Sequence, residues 1–263
     1  MKKTLGIVAL AVCAMTITSC GAPSISLEQA KDEANQIRAT MESNGDYVAG
    51  KTLELNYRIF QEETMMGITE GTDMKGYIQV DLDSKEPYVR THDEGTEYAK
   101  GFGESEQAKQ TVDTWTYVSG QYVVFGYKYT LDGNVTDEGE TSVAITNASS
   151  ELTKDIEEAY YEISRVFEGA VNSIFTYLSM FPTEELLAKA GIKLGSYGPG
   201  SLVINENVSA RNGGAWAKSD TTIEFADYKL TSMKSTFDQG NEISSAKGNL
   251  EYTFNYKGFQ KQY

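Results

Sequence analysis

Near its C-terminus the chain alternates strictly: Leu250, Tyr252, Phe254 and Tyr256 are apolar or aromatic, and Glu251, Thr253, Asn255 and Lys257 between them are polar. Successive strand side chains point to opposite faces, so this pattern specifies a strand with one buried and one wet face. It also fixes the register, because a slip of one residue would exchange the two sets. The same period starts after Lys51, where Leu53, Leu55, Tyr57 and Ile59 share one face and Glu54, Asn56 and Arg58 the other.

Further short runs follow, GYIQVDL, PYVRTH, TEYAKG, TWTYVS and QYVVFGYKYTL, rich in β-branched and aromatic residues and punctuated by Gly, Asp and Ser. Tyr57, Tyr77, Tyr88, Tyr117, Tyr122, Phe125, Tyr127 and Tyr129 fall on them, where aromatic rings either fill a core or line an apolar concavity. Asp132-Gly133, between YKYTL and NVTDEGETSVAIT, predicts a type I′ hairpin, which needs positive φ at both central positions. SLVINENVSA, the turn Asn212-Gly213-Gly214 and AWAKSDTTIEFADYKLTSMKSTF add more strands. Between Phe225 and Tyr228 the apolar phase shifts by one residue, which predicts a bulge or bend near Ala226-Asp227. Regular strand–helix alternation is missing, which argues for an antiparallel meander and against a doubly wound sheet.

Two stretches interrupt the strands. Ser26 and Gln29 form a capping box with Ile25 outside it, predicting a helix over Leu27–Met41 that SNGDY ends. Over 151–181, apolar residues from Ile156 to Phe181 recur every three or four positions, the spacing of a long amphipathic helix. Pro182 stops it, and Thr183 with Glu184 and Glu185 opens a short helix through EELLAKAG, closed by Gly191. Packing against a sheet accounts for the stripe. Within it Ile163, Phe167, Ile174 and Phe175 are the candidate lining of an apolar ligand cavity.

At the other end, Lys2 and Lys3 precede an apolar stretch, Leu5 to Ile17, too short for a comfortable membrane span and suited to a secretion signal. The four residues that follow from there, Ile17, Thr18, Ser19 and Cys20, resemble the lipobox of bacterial lipoproteins. In that family the cysteine thiol receives a diacylglycerol before cleavage on its amino side. The resemblance implies a signal peptide over 1–19, Cys20 as lipidation site, a lipidated cysteine and short tether over 20–25, and a single α+β ligand-binding-type domain over 26–263. Cys13 would leave with the signal. Anchorage at the cell membrane or outer membrane, facing away from the cytoplasm, is the implied location, since two or three acyl chains anchor stably.

With Cys20 acylated, no thiol remains for a nucleophile, a thiolate metal site or a disulfide. The net charge of −15 moves to about −17 when Lys2 and Lys3 are removed, which disfavours nucleic acid. His92, the lone histidine, lies in VRTHDEG and reads as an exposed turn residue; no G-x-S-x-G elbow accompanies it. Two-histidine zinc sites cannot form. Glu62-Glu63, Glu157-Glu158 and Glu184-Glu185 are sequence neighbours that do not face each other on a strand or helix, so they read as solvated surface. In DGNVTDEGE, Asp137 stands where a calcium loop needs its sharp-turn glycine, and GSYGPGS lacks the Lys-Ser/Thr ending of a phosphate loop. No catalytic residue, metal site or cofactor is expected.

Helix, strands, long helix with short partner, strands again: this order resembles the lipoprotein-carrier group of LolA and LppX type. The resemblance implies an α+β fold, a curved antiparallel sheet (half-open barrel) wrapped around a long amphipathic helix and a short helix, with room for acyl chains between. The expectation is a membrane-anchored surface lipoprotein that binds or shuttles a hydrophobic, lipid-like ligand without catalysis. The alternative is a structural or interaction lipoprotein of the cell envelope with a fully packed core. Its partners would be the membrane, through the lipid on Cys20, and the hydrophobic ligand; the sequence identifies no protein partner.

Overall fold

The computed structural model describes residues 22–43, 52–81, 86–147 and 180–262, with Ser150, Lys154, Glu158, Gly169, Ile174, Thr176 and Leu178. Helix α1 spans Leu27–Ser43 and is followed by β1 (Thr52–Met65), β2 (Ile68–Asp81), β3 (Tyr88–Gly101), β4 (Glu104–Ser119), β5 (Tyr122–Leu131) and β6 (Asn134–Ala144). Helix α2 (Glu184–Lys189) then precedes β7 (Ile192–Gly195), β8 (Leu202–Asn212), β9 (Ala215–Ala226), β10 (Lys229–Gly240) and β11 (Ser244–Asn255). The strands form one antiparallel sheet of 11, in the order β6-β5-β4-β3-β2-β1-β11-β10-β9-β8-β7. The sheet is curved and unclosed. Two meanders meet where β1 pairs with β11, so sequence-distant segments are joined by a single ladder.

Local chemistry explains the boundaries. Ser26 Oγ accepts from the Gln29 amide at 3.2 Å while Gln29 Oε1 accepts from the Ser26 amide at 2.9 Å, the reciprocal box that opens α1. Thr183 caps α2 by accepting from Leu186 N at 3.3 Å, and Gly191 follows at φ 74. Asp132 (φ 49) and Gly133 (φ 80) make the expected type I′ turn.

The core lies on the concave face at one end of the strands. Leu53 and Leu55 of β1, Val80 and Val89, Leu202 and Ile204, Ile223 and Phe225, Leu230 and Phe254 all point there. Ala30, Ala34 and Ile37 of α1, with Leu187 of α2, cover them. At roughly 1.5–3 kcal/mol for each large apolar side chain fully buried, this cluster dominates the stability. On the convex face the C-terminal segment crosses back over β3: Tyr88 is fully buried, its hydroxyl donates to Gln262 O at 3.1 Å, and Lys261 pairs with Asp81 at 2.8 Å.

Away from this end the strands of β1 to β4 continue with polar residues on both faces. Cross-strand ion pairs on the convex side support them: Arg58–Asp73 at 3.0 Å, Lys109–Glu94 at 2.6 Å with Lys75–Glu94 at 3.1 Å, and Lys247–Glu62 at 2.8 Å.

Several expectations are corrected. PYVRTH and TEYAKG are one strand, β3, and the supposed polar turn at His92 is mid-strand, paired by β2 and β4 on both sides. Of the bulge or bend expected near Ala226-Asp227 the structure has the bend: Asp227 (φ 50) and Tyr228 (φ 60) form a tight turn that divides the expected run into β9 and β10, and the bulge lies between Leu230 and Ser232. The expected long helix is sampled at single positions. Lys154, Glu158, Gly169, Ile174, Thr176, Leu178 and Met180 are helical, Lys154 and Glu158 being exposed and Ile174 and Leu178 buried.

Candidate functional site

Beside the packed core, the concave face opens into a cavity of about 650 Å³ under β2 to β6. Its apolar wall comes from Ile78, Val89, Phe125 and Tyr127, and a band of hydroxyls from Thr91, Thr114, Thr116 and Thr141 runs through it. Glu158, from the helical positions above the sheet, adds a carboxylate that also meets Lys154 at 3.4 Å.

Register explains the convergence. Ile78 faces Thr91, Thr91 faces Thr114, Thr114 faces Tyr127, and Tyr127 faces Gly139, so one row crosses five strands on the same face. The adjacent row runs Val80, Val89, Thr116, Phe125 and Thr141. The Thr91 and Thr114 hydroxyls hydrogen-bond each other at 2.7 Å, which satisfies them within the wall. Glycine sets the depth at the outer edge: a Cβ on Gly139 would stand 2.9 Å from the Tyr127 ring, which lies across it. Tyr129 extends the aromatic surface, its ring centroid 5.5 Å from that of Tyr127. Asp93 lies on the same face, and burial, with the nearby charge of Asp113, pushes its carboxyl up from the ordinary value.

Opposite the cavity, the convex side of these strands carries a polar cluster. His92 Nδ1 is 2.8 Å from Asp113 Oδ1, Arg90 is 3.6 Å from the same carboxylate, and the Tyr77 ring stacks on His92 at 5.3 Å. The histidine is half-buried between strands. Thr91, next to His92 in sequence, and Thr114, next to Asp113, turn their hydroxyls to the other face, so the imidazole–carboxylate pair and the hydroxyls do not converge.

Of the residues expected to line a cavity, Ile174 is buried in the packed core with Leu178 and is not part of this cavity's wall. Ile163, Phe167 and Phe175 lie outside the described residues, as does Cys20. Phe125 and Tyr127 were visible as aromatic strand residues. The threonines gave no signal, since threonine is an ordinary strand residue and only the register shows that four of them meet.

No family model matches this chain, and no curated protein matches it. Solved structures do. A β-barrel-like protein of a domain of unknown function from Brucella abortus is 11% identical, with 78% of this chain and 99% of that one covered, at a TM-score of 0.27. The translocator domain of the autotransporter NalP from Neisseria meningitidis is 10% identical over 86% of this chain and 96% of that one, at 0.22. The S-type phycobiliprotein lyase from Guillardia theta is 9% identical over 89% and 98%, at 0.18. With TM-scores this low, none of the three carries an argument about this chain.

The N-terminal edge completes the picture. Ser24 bridges to Gly195, Ile25 N donates to Leu194 O at 3.2 Å, and Ser196 N donates to Pro23 O at 3.1 Å. Residues 22–25 of the expected short tether thus lie against β7, covering that edge of the sheet.

Proposed function

We propose that this chain is an exported lipoprotein, acylated at Cys20, that binds a hydrophobic, lipid-like ligand in the concave cavity and performs no chemistry on it. The observation that carries the reading is the cavity: about 650 Å³, within the roughly 300–1,000 Å³ common for small-molecule sites, apolar on its walls and beside a core already closed by its own helices. The polar groups in the middle of the wall are neutral hydroxyls, two of them satisfied by each other, and the two carboxylates of the lining, Glu140 and Glu158, are exposed and keep their water, so an apolar guest strands no charge there. Exposed Lys154 and Glu158, with buried Ile174 and Leu178, fit a helix laid along the sheet, as in a half-open barrel of the lipoprotein-carrier type. Docking of residues 22–25 on β7 leaves one residue between Cys20 and the folded body, so an acyl anchor there would hold the domain against its membrane.

Filling the cavity tests the reading. Thr114→Phe places a ring in the middle of the hydroxyl band. Displacement of a fluorescent fatty acid should show binding by the parent chain and a loss of at least about tenfold in the variant, with the fold retained, as expected for a pocket whose occupancy is apolar. Equal binding by both would refute the site. No binding by the parent, with the variant simply more stable, would favour an envelope interaction protein instead.

A further inference from the structure

Among the described residues, four of the five most exposed large apolar side chains lie at hairpin tips, the fifth being Met180. Phe102 is 89% exposed, Met66 74%, Ile243 64% and Met65 63%. They lie on three neighbouring hairpins, β3/β4, β1/β2 and β10/β11. The ladders place these tips at one level: Met65 pairs with Ile68 on one side and Ser244 on the other, Thr69 with Lys100, and Gly101 with Glu104. Met66 N donates to Ile243 O at 3.1 Å, tying two of the tips together.

A second observation is independent of exposure. Met66 and Phe102 both have φ 50, and are followed by Gly67 at φ 83 and Gly103 at φ 87. These are type I′ turns whose first central position favours Asn, Asp or Gly, because other side chains are strained in the left-handed region. The shorter hairpin β5/β6 places Asp132 there. At the two outermost tips the chain instead carries a large apolar residue, strained and in water, an arrangement that stability alone does not favour and that points to a contact.

We propose that the tips of β1/β2, β3/β4 and β10/β11 form a lipid-contact edge that dips into the interface of a zwitterionic phospholipid bilayer. Three protrusions at one level suit a plane, and separated single side chains suit a fluid surface that closes around each. Among the exposed flanking charges Glu63, Glu70 and Glu104 outnumber Lys100, and this acidic balance disfavours anionic headgroups. A second copy of the chain fits poorly: four such side chains bury on the order of 600 Å², less than the ~800 Å² that each partner gives to a standard protein interface, and they are divided among three tips instead of joined in one patch. Gly195, where the N-terminal residues dock, pairs with Val203, a strand run of about 30 Å from the tip at Asn212. The edge therefore lies at the opposite end of the strands from residues 22–25 and would meet a bilayer other than one holding an N-terminal anchor; it stands whether or not Cys20 is acylated or the cavity is filled.

The test uses the full chain carrying Phe102→Trp, with phosphatidylcholine vesicles brominated in their acyl chains. The parent chain, with Trp115 and Trp216, supplies the background. The introduced indole should shift to the blue and be quenched, and adding Met66→Asn and Ile243→Asn should reduce the quenching at least about threefold through lost apolar transfer. N-terminal attachment alone leaves that indole in water, so failure of the lipid anchor and failure of this edge give different results. Met66→Asn with Phe102→Asn should keep or raise Tm, because Asn tolerates the left-handed region, so lost contact cannot come from unfolding. An unquenched indole on vesicles that carry the chain overturns the proposal. So does quenching indifferent to the Asn changes, or a lipid-independent dimer that the Asn changes abolish.

Discussion

Gly126→Ala interrogates, from the convex side, the strands that carry the cavity. Arg90, Trp115, Gly126 and Glu140 stand in one register row across β3 to β6, and the Trp115 indole lies across Gly126 with its Nε1 donating to Glu140 at 3.1 Å. A Cβ on Gly126 would overlap the indole ring, whereas carbon atoms in contact sit about 3.5–4.0 Å apart. Gly126 is not among the residues at positive φ, so alanine meets no backbone strain and gains roughly 0.5–1 kcal/mol over glycine. Against this stand about 1–3 kcal/mol for displacing a packed ring and about 0.5–1 kcal/mol for an exposed hydrogen bond. The net is a loss on the order of 1–3 kcal/mol, which in a domain of this size lowers Tm by about 2–10 °C. Gly95→Ala is the control: also mid-strand, its nearest neighbour is Gln110 Cγ at 3.7 Å, so it should be neutral or stabilising. Thermal melts followed by tryptophan emission decide it. If Gly126→Ala melts no lower than Gly95→Ala and leaves the emission unchanged, this row is wrong, and with it the register that sets the opposite, cavity-facing rows.

Cys20→Ser should release the chain from the membrane fraction into the periplasm or medium; unchanged retention contradicts anchoring through that residue. The Glu94 carboxyl is held down to about 2 by hydrogen bonds from Lys109 and then Lys75. A depressed carboxylate stabilises above its unfolded pKa and loses that contribution as pH falls. Glu94→Gln should therefore flatten the acid side of the stability profile between about pH 5 and 2, by less than about 1 kcal/mol because solvent screens the pair. Asp93 has the opposite sign: burial and the Asp113 charge raise its carboxyl, so the fold favours its protonated form and gains stability as pH falls through the raised value. Asp93→Asn should raise Tm at neutral pH and remove that gain, and a variant that melts lower would contradict the assignment.

What the sequence made legible follows burial. Where one face is covered, as at Leu53 and Leu55 or Leu250 to Phe254, alternation marked the strand and its inward side. The first half of β2, Ile68 to Lys75, and the first half of β4, Glu104 to Thr111, gave no such signal because both faces meet water or other polar groups; their pairing alone makes them strands. His92-Asp93-Glu94-Gly95 has the composition of a turn, yet the hydrogen bonds of two neighbouring strands override local preference. The phase shift marked a bend near Asp227-Tyr228 but not a hairpin turn, because tyrosine is an unusual occupant of a left-handed position. The cavity was legible only through Phe125 and Tyr127. Its threonines become a surface when five strands are set in register, which no local pattern encodes.

The central claim is that the concave cavity holds an apolar guest. Its most direct test is organic extraction and mass spectrometry of the Cys20→Ser chain, exported by cells and purified without detergent, beside the same chain carrying Thr114→Phe. The account expects a lipid-like molecule recovered near one per chain from the first and largely absent from the second. Recovery of none from the first, or of equal amounts from both, would contradict it.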